Sequence, residues 1–240
     1  MEAELVHHGS WAELVMNRPE RKNAITGTLG RAMAACLDQV QNDQDIQALV
    51  LRGAGGAFCS GLDLKEFNAQ PAPDWLPEFQ SIWRSVHRGL FRCRVPIVGA
   101  LERYAINGGA ALALACDLLI VGEAAFLQVG EVQIGMAAPY NLAWLALRHP
   151  EAIGARLALI GDRHDGKALT ALGVATQCTA DDAVLETAHA LASRLGTFPD
   201  GAAARIKHGI RSRLDQDADA WFDRFTSGQR ASAPPPAGRL

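Results

Sequence analysis

Two glycine-bearing segments hold the strongest chemical signal of the chain: Phe58-Cys59-Ser60-Gly61-Leu62-Asp63-Leu64 and Ile106-Asn107-Gly108-Gly109-Ala110-Ala111. Together they look like two halves of an oxyanion hole, each offering backbone N–H groups to one oxygen on which negative charge develops. Donors fixed by the fold stabilise such charge without reorganising, and losing one typically costs on the order of 3 kcal/mol of barrier. An isolated Gly-Gly pair more often serves only a tight turn. A third candidate is Glu131, which stands among the apolar residues Phe126, Leu127, Val129 and Val132. Burial there would raise its pKa and suit it to shuttling a proton. Cys59 lies inside the first segment, but no histidine or basic residue adjoins it to lower its pKa, so a buried thiol is expected rather than a nucleophile.

These residues need elements to hold them. Trp11 to Asn17 alternates like a strand, and Ile46 to Gly53 is apolar enough to be a strand covered on both faces. Between them Leu29, Met33, Leu37 and Val40 recur at helical spacing over Thr26 to Gln41, with Thr26 as a cap. The alternation repeats with a strand at Pro96 to Leu101, a helix at Gly108 to Ala115 and a strand at Cys116 to Val121. Strands alternating with helices predict an α/β fold. From Pro139 onward strand signals fade, and helices are expected at Ala143 to Arg148, Pro150 to Ile160, Gly166 to Leu172, Asp181 to Leu195 and Asp200 to Leu214. Residues 68–77, with three prolines, read as a mobile surface loop beside the first glycine segment and a candidate lid. The proline-rich end at 231–240 reads as a loose tail.

Length and composition bound the rest. A chain of 240 residues, 49% hydrophobic, suits one large core. Its 23 Lys+Arg against 26 Asp+Glu leave a net charge of −3, with no global pull toward nucleic acid or an anionic membrane. The acidic start Met1-Glu2-Ala3-Glu4 is unlike a signal peptide, and the most apolar run, Ala110 to Val121, is short and contains Asp117. A cytoplasmic protein is expected. Five scattered cysteines without C-x-x-C spacing, and histidines without H-x-x-x-H spacing, predict neither a disulfide framework nor a metal site. Arg205, Lys207, His208, Arg211 and Arg213 form a basic helical run, read as a solvated or oligomer face, with RNA binding as the sharper alternative. Trp75, Trp83, Tyr140, Asn141 and Trp144 are expected in the core or as site lining, with no catalytic role.

Five motifs in order carry a resemblance. They are Asn17 to Ala24, Gly53 to Leu64, Pro96 to Ala100, Asn107-Gly108-Gly109 through Ala115-Cys116-Asp117, and Gly130 to Gly135. Over roughly residues 5 to 215 the chain resembles the enoyl-CoA hydratase/isomerase (crotonase) family. The resemblance implies a crotonase-like spiral of strand-strand-helix repeats at 1–195, a helical oligomerisation segment at 196–230 and the flexible tail at 231–240. It implies an acyl-CoA substrate of fatty acid metabolism, no metal and no cofactor beyond the coenzyme A of the substrate, and a homotrimer or dimer of trimers. The family's oxyanion donors fall on the N–H groups of Leu62 and Gly108, and its catalytic glutamate on Glu131. Substrate and coenzyme A contacts fall on Lys22, Ala24, Ser60, Leu62, Asp63, Leu64 and Gly108; Arg21 and Lys65 are further candidates for a phosphate.

The departures matter as much. Hydratases of the family place a second glutamate where this chain has Ala111, and dienoyl-CoA isomerases place an acid where it has Pro139. Hydration asks for a base on water and an acid for the α-carbon, whereas one carboxylate suffices to move a proton between C2 and C4. The expected function is therefore enoyl-CoA isomerisation. Hydration, decarboxylation, thioester hydrolysis or acyl-CoA binding without efficient catalysis remain the alternatives.

Overall fold

The computed structural model describes residues 1–214 and 216–227. The tail expected at 231–240 lies outside them. Strands β1 (Ala3–His7) and β2 (Trp11–Met16) pair antiparallel around Gly9, whose φ of +72° suits a tight turn. All six residues of β2 are buried, including Glu13, which is neutralised by Arg52 at 2.6 Å. Helix α1 (Gly27–Asn42) starts where Thr26 accepts a hydrogen bond from the Leu29 N–H, as its sequence predicts. Strand β3 (Ala48–Gly53) then returns parallel to β2.

The short α2 (Leu64–Phe67) follows the first glycine segment, and α3 (Phe79–Arg92) leads into β4 (Ile97–Leu101). From there a repeating device builds the site. Each long strand is followed by a three-residue strand in a second sheet and then by a helix: β4 by β5 (Tyr104–Ile106) and α4 (Gly108–Ala115), β6 (Leu118–Gly122) by β7 (Phe126–Gln128) and α5 (Pro139–Arg148). The chain closes through α6 (Glu151–Ala158), β8 (Arg163–Asp165), α7 (Gly166–Ala171), β9 (Gln177–Thr179), α8 (Val184–Gly196), α9 (Ala202–Arg211) and α10 (Ala218–Thr226). The described residues form a six-stranded sheet in the order β1-β2-β3-β4-β6-β9 and a three-stranded sheet in the order β5-β7-β8.

The α/β reading holds, and β2, α1, β3, β4, α4 and β6 form where the sequence placed them; the 14-residue α3 had no counterpart in that reading. Two details differ from expectation. Strand structure does not stop at Pro139, because β8 and β9 complete the two sheets; at three residues each they carry too little pattern to show locally. Residues 68–74 form the expected largely exposed loop, but Trp75 at its end is anchored. Trp75, buried against Phe67 and Phe79, covers α1 so closely that a Cβ on Gly27 would lie 2.5 Å from its Cγ.

The C-terminal helices pack on the same core. Phe222 of α10 is fully buried against Trp144 of α5, their ring centroids 5.5 Å apart. Lys207 and Arg211 of α9 converge with Arg148 of α5 on Asp117, at 2.7, 3.2 and 2.9 Å. The three cations hold this carboxyl well below the usual carboxylate range despite its burial. Arg213 donates to the Leu147 carbonyl at 2.7 Å, and Arg205 to that of Asp200. Of the basic run, Lys207 and Arg211 are thus used by the fold, while Arg205, His208 and Arg213 remain exposed. Among the described residues no helix is long and apolar enough to cross a membrane.

Candidate active site

The first glycine segment enters the site as an extended strip between residue 25 and β5. Ile25 donates its N–H to the Gly61 carbonyl at 2.8 Å, and Asp63 donates its own to the Ile25 carbonyl at 3.0 Å. In such parallel pairing the intervening amide points the other way. The Leu62 N–H is that amide, and no acceptor meets it among the described residues. Gly61, at φ +90°, makes the strip possible: a Cβ there would sit 3.0 Å from the Ile106 carbonyl oxygen. The chain therefore crosses within van der Waals contact of the second segment.

In that second segment Gly108 is the first residue of α4, so its N–H has no intrahelical acceptor and carries the positive end of the helix dipole. A Cβ on Gly108 would fall 2.8 Å from Ile25 Cδ1 and 3.7 Å from Trp83 Cζ2, which places a narrow apolar wall beside the amide. The two segments are clamped by Cys59 N–H to the Tyr104 carbonyl and Ile106 N–H to the Cys59 carbonyl, both 3.1 Å. Gly109 fits the same junction, since a Cβ there would be 2.5 Å from the Cys59 carbonyl oxygen. Gly109→Ala should wedge the segments apart and, if they carry the two oxyanion donors expected from the sequence, lower kcat about 10²-fold. Steady-state rates of a correctly folded variant test this, and an unchanged kcat would contradict the clamp.

Glu131 opens a short 3₁₀ turn, Glu131–Ile134, just after β7. It is only 8% exposed. One oxygen, Oε1, accepts from Asn141 Nδ2 at 2.8 Å; the other, Oε2, is buried with no partner among the described residues. Burial pushes its pKa up to about 7, against smaller opposing help from its own backbone amide and Asn141. Asn107, held at φ +51°, connects this group to the second glycine segment. Its Oδ1 accepts from the Gly130 N–H at 2.9 Å and its carbonyl accepts from Asn141 Nδ2 at 3.1 Å. Asn141 thus bridges Glu131 and the second glycine segment. Its type and position alone had marked it only as core or lining; the signal is its location on α5, whose first turn folds back over Glu131.

Ala111 is fully buried in the apolar core, and Pro139 starts α5. Neither position supplies a second acid. Cys59 is fully buried, and burial drives its thiol up to about 12, which leaves it inert. Among the described residues no three His, Cys, Asp or Glu side chains are grouped to hold a metal.

The residues expected near coenzyme A form a layer on the outer side of the first segment. Lys22 is exposed in a left-handed turn, and its carbonyl accepts from the Ser60 N–H at 3.1 Å. Ala24 is buried; its carbonyl accepts from Arg18 Nη1 at 2.6 Å and its N–H donates to the Arg21 carbonyl at 3.0 Å. Leu64 donates its N–H to the Leu62 carbonyl at 3.0 Å. The Asp63 side chain is fully committed to the fold: it caps α2 and pairs with Arg21 at 2.8 Å and Arg18 at 3.3 Å. Lys22 and Lys65 keep their ammonium groups exposed on this layer.

The fold and the ordered segments can be set beside known proteins. The family described as enoyl-CoA hydratase/isomerase matches residues 7–223. The 1,2-epoxyphenylacetyl-CoA isomerase of Escherichia coli strain K12 is 31% identical over 223 residues, covering 90% of this chain and 84% of the relative. The mitochondrial Delta(3,5)-Delta(2,4)-dienoyl-CoA isomerase of Mus musculus is 28% identical over 224 residues, covering 87% and 68%. Among solved structures, an enoyl-CoA hydratase/isomerase from Mycobacterium paratuberculosis superposes with a TM-score of 0.83 at 26% identity, over 93% of this chain and 90% of that one. An enoyl-CoA hydratase from Mycobacterium tuberculosis H37Rv gives 0.78 at 29% identity, over 94% and 89%. The chain belongs to the enoyl-CoA hydratase/isomerase family and is an enzyme of the crotonase type.

Proposed function

We propose that the enzyme shifts a double bond in an enoyl-CoA thioester, with Glu131 as its single acid/base. The observation that carries this reading is the state of Glu131: buried, fixed through one oxygen by Asn141, with the other oxygen free and a pKa of about 7. In the reaction Oε2 takes a proton from C2 of a 3-enoyl thioester. The C–H electron pair moves into the thioester, and the enolate oxygen is held by the N–H groups of Leu62 and Gly108. The same carboxyl then returns the proton to C4, leaving the double bond between C2 and C3. Atoms balance without water. The buried methyl of Ala111 supports isomerisation over hydration, which would need a second group to activate water.

Incubation with a panel of enoyl-CoA thioesters in D2O, followed by mass spectrometry, tests the reading. Deuterium at C2 or C4 without added water is expected; accumulation of a hydrated product would overturn it. The name of the dienoyl-CoA isomerase is consistent with a double-bond shift, and the hydratase of similar fold keeps hydration as the competing outcome. The coenzyme A portion is assigned to the layer of Lys22, Ala24, Ser60 and Leu64, with Asp63 organising it rather than touching the ligand. A homotrimer or dimer of trimers belongs to the same reading. Exposed Leu159 and Ile160 offer apolar surface for it, and light scattering that finds only monomer would refute it.

A further inference from the structure

The turn from β5 into α4 holds a backbone conformation that its residue does not favour. Asn107 sits at φ +51° and ψ −112°. This is the mirror image of extended backbone, a region open to glycine and costly to any residue with a Cβ. Such strain persists only where the surroundings over-determine it. Here the Asn107 N–H donates to the Gln128 carbonyl at 2.8 Å, its Oδ1 accepts from the Gly130 N–H at 2.9 Å, and its carbonyl accepts from the Ala111 N–H at 3.0 Å and from Asn141 Nδ2 at 3.1 Å. Gly130 admits the side chain because it has none of its own: a Cβ there would lie 3.2 Å from Asn107 Oδ1.

The bonds to the Asn107 carbonyl decide where the next amide points. That carbonyl and the Gly108 N–H belong to one planar peptide unit, with oxygen and hydrogen on opposite sides. Whatever grips the oxygen aims the hydrogen. Ala111 grips it from within α4, and the buried Asn141 grips it from α5. The same Asn141 nitrogen donates its other proton to Glu131 Oε1 at 2.8 Å. Both of its neighbours are acceptors, a backbone carbonyl and a carboxyl oxygen, which fixes the orientation of the amide and spends both of its protons. Glu131 and the peptide unit of Gly108 therefore share one nitrogen. The influences on the Glu131 carboxyl are burial, its own backbone amide and Asn141, with no charged side chain among them.

We infer that Asn107 and Asn141 form a brace that sets the Gly108 N–H and the Glu131 carboxyl relative to each other, which makes both asparagines positioning residues for proton transfer at the thioester α-carbon. The inference rests on the reading above, with Gly108 as an oxyanion donor and Glu131 as the base. Enolate formation needs the two placed together: charge leaving the C–H bond arrives on the oxygen that the donor holds, so a displacement of either is felt in the same step. The brace uses Oε1 and leaves Oε2 free. Glycine at 107 would adopt the turn without strain, yet it would give up the bond to Gly130, the residue before Glu131. The strained asparagine thus exchanges stability for geometry.

Stability and rate should then part company in the full chain. Asn107→Gly should keep its urea midpoint at or above that of the wild type and above that of Asn107→Ala, while kcat for C2 proton exchange falls about tenfold with KM little changed. Asn141→Leu removes both bonds of the shared nitrogen. Its kcat should fall about 30-fold, and the inflection in kcat/KM should move up by about one pH unit, since the lost bond favoured the carboxylate. The double variant should lose less than the product of the two single losses, as residues of one device do. Should Asn141→Leu fail to fold, 15N-labelled wild-type protein decides: the Asn141 side-chain amide and the Gly108 N–H should shift together with one midpoint near 7. Wild-type kcat in Asn107→Gly, a midpoint for Asn107→Gly below that of Asn107→Ala, an unmoved inflection in Asn141→Leu, or a Gly108 signal indifferent to pH overturns the brace while leaving the acid/base reading intact. Wild-type protein that exchanges no C2 proton of any enoyl-CoA thioester overturns that reading instead, and the two amide signals then decide the brace by themselves.

Discussion

Glu131→Gln should lower the rate of C2 proton exchange about 10³-fold while leaving thioester binding within a few-fold of wild type. A positioned general base contributes typically 10²- to 10⁴-fold, and positions 111 and 139, where the resemblance implies a second acid, hold Ala and Pro. Glutamine keeps the carbonyl that accepts from Asn141 and fills the same space, so the loss isolates proton transfer. In the wild type, kcat/KM should rise with pH and reach half its plateau near 7, because the basic form of Glu131 starts the reaction. In Glu131→Gln that inflection should vanish. Retention of both rate and inflection would remove Glu131 from the chemistry.

The same residue makes a stability prediction of opposite sign. A carboxyl whose folded pKa is raised from 4.5 to about 7 binds more protons in the folded than in the unfolded chain between those values. Stability then falls as pH rises through this window, by about 3 kcal/mol in total. Glu131→Gln lacks this penalty and should melt later than wild type at pH 8, with little difference at pH 4. Activity and stability would thus trade at one position, as strained or desolvated functional groups commonly require.

Asp117→Ala should be the most damaging single change to the fold away from the reaction. Asp117 accepts from the Ile97 N–H at 2.8 Å and from cations on α5 and α9. Removing it strands Lys207, which is buried and whose remaining contact is the Val95 carbonyl at 2.7 Å. Breaking a buried pair from one side costs about 3–5 kcal/mol, so the urea midpoint should drop sharply. Because the folded carboxyl titrates below its ordinary value, its contribution is fully present above about pH 4 and is lost as acid carries the pH down through the folded value. A midpoint within error of wild type would show that α9 is held by other contacts.

Particular residues show why some of this was readable in advance. The apolar runs of β3 and β4, the Leu29-Met33-Leu37-Val40 stripe with its Thr26 cap, and the glycines at both turns are local signals, and each element formed where they stood. Strands β5, β7, β8 and β9 are three residues long and exist only through pairing with distant chain, so no local period announces them. At the candidate site, Leu62, Gly108 and Glu131 were named through motif order. Asn141 was not assigned a role, because an amide's role depends on what it faces: here Asn107 and Glu131, separated from it by 34 and 10 positions. Asp63 shows the converse error risk. Its place in a ligand-binding motif suggested contact with ligand, yet its charge is consumed by Arg18 and Arg21.

A single carboxyl that lifts a proton from C2 and returns it to C4 should carry label with it. The decisive measurement uses a 3-enoyl-CoA thioester dideuterated at C2, turned over in ordinary water and stopped early, with product analysed by mass spectrometry and NMR. One shuttling base predicts a 2-enoyl product with part of the deuterium relocated to C4 and no added water. Product that contains the mass of water, with no deuterium at C4 at any extent of turnover, would contradict the account.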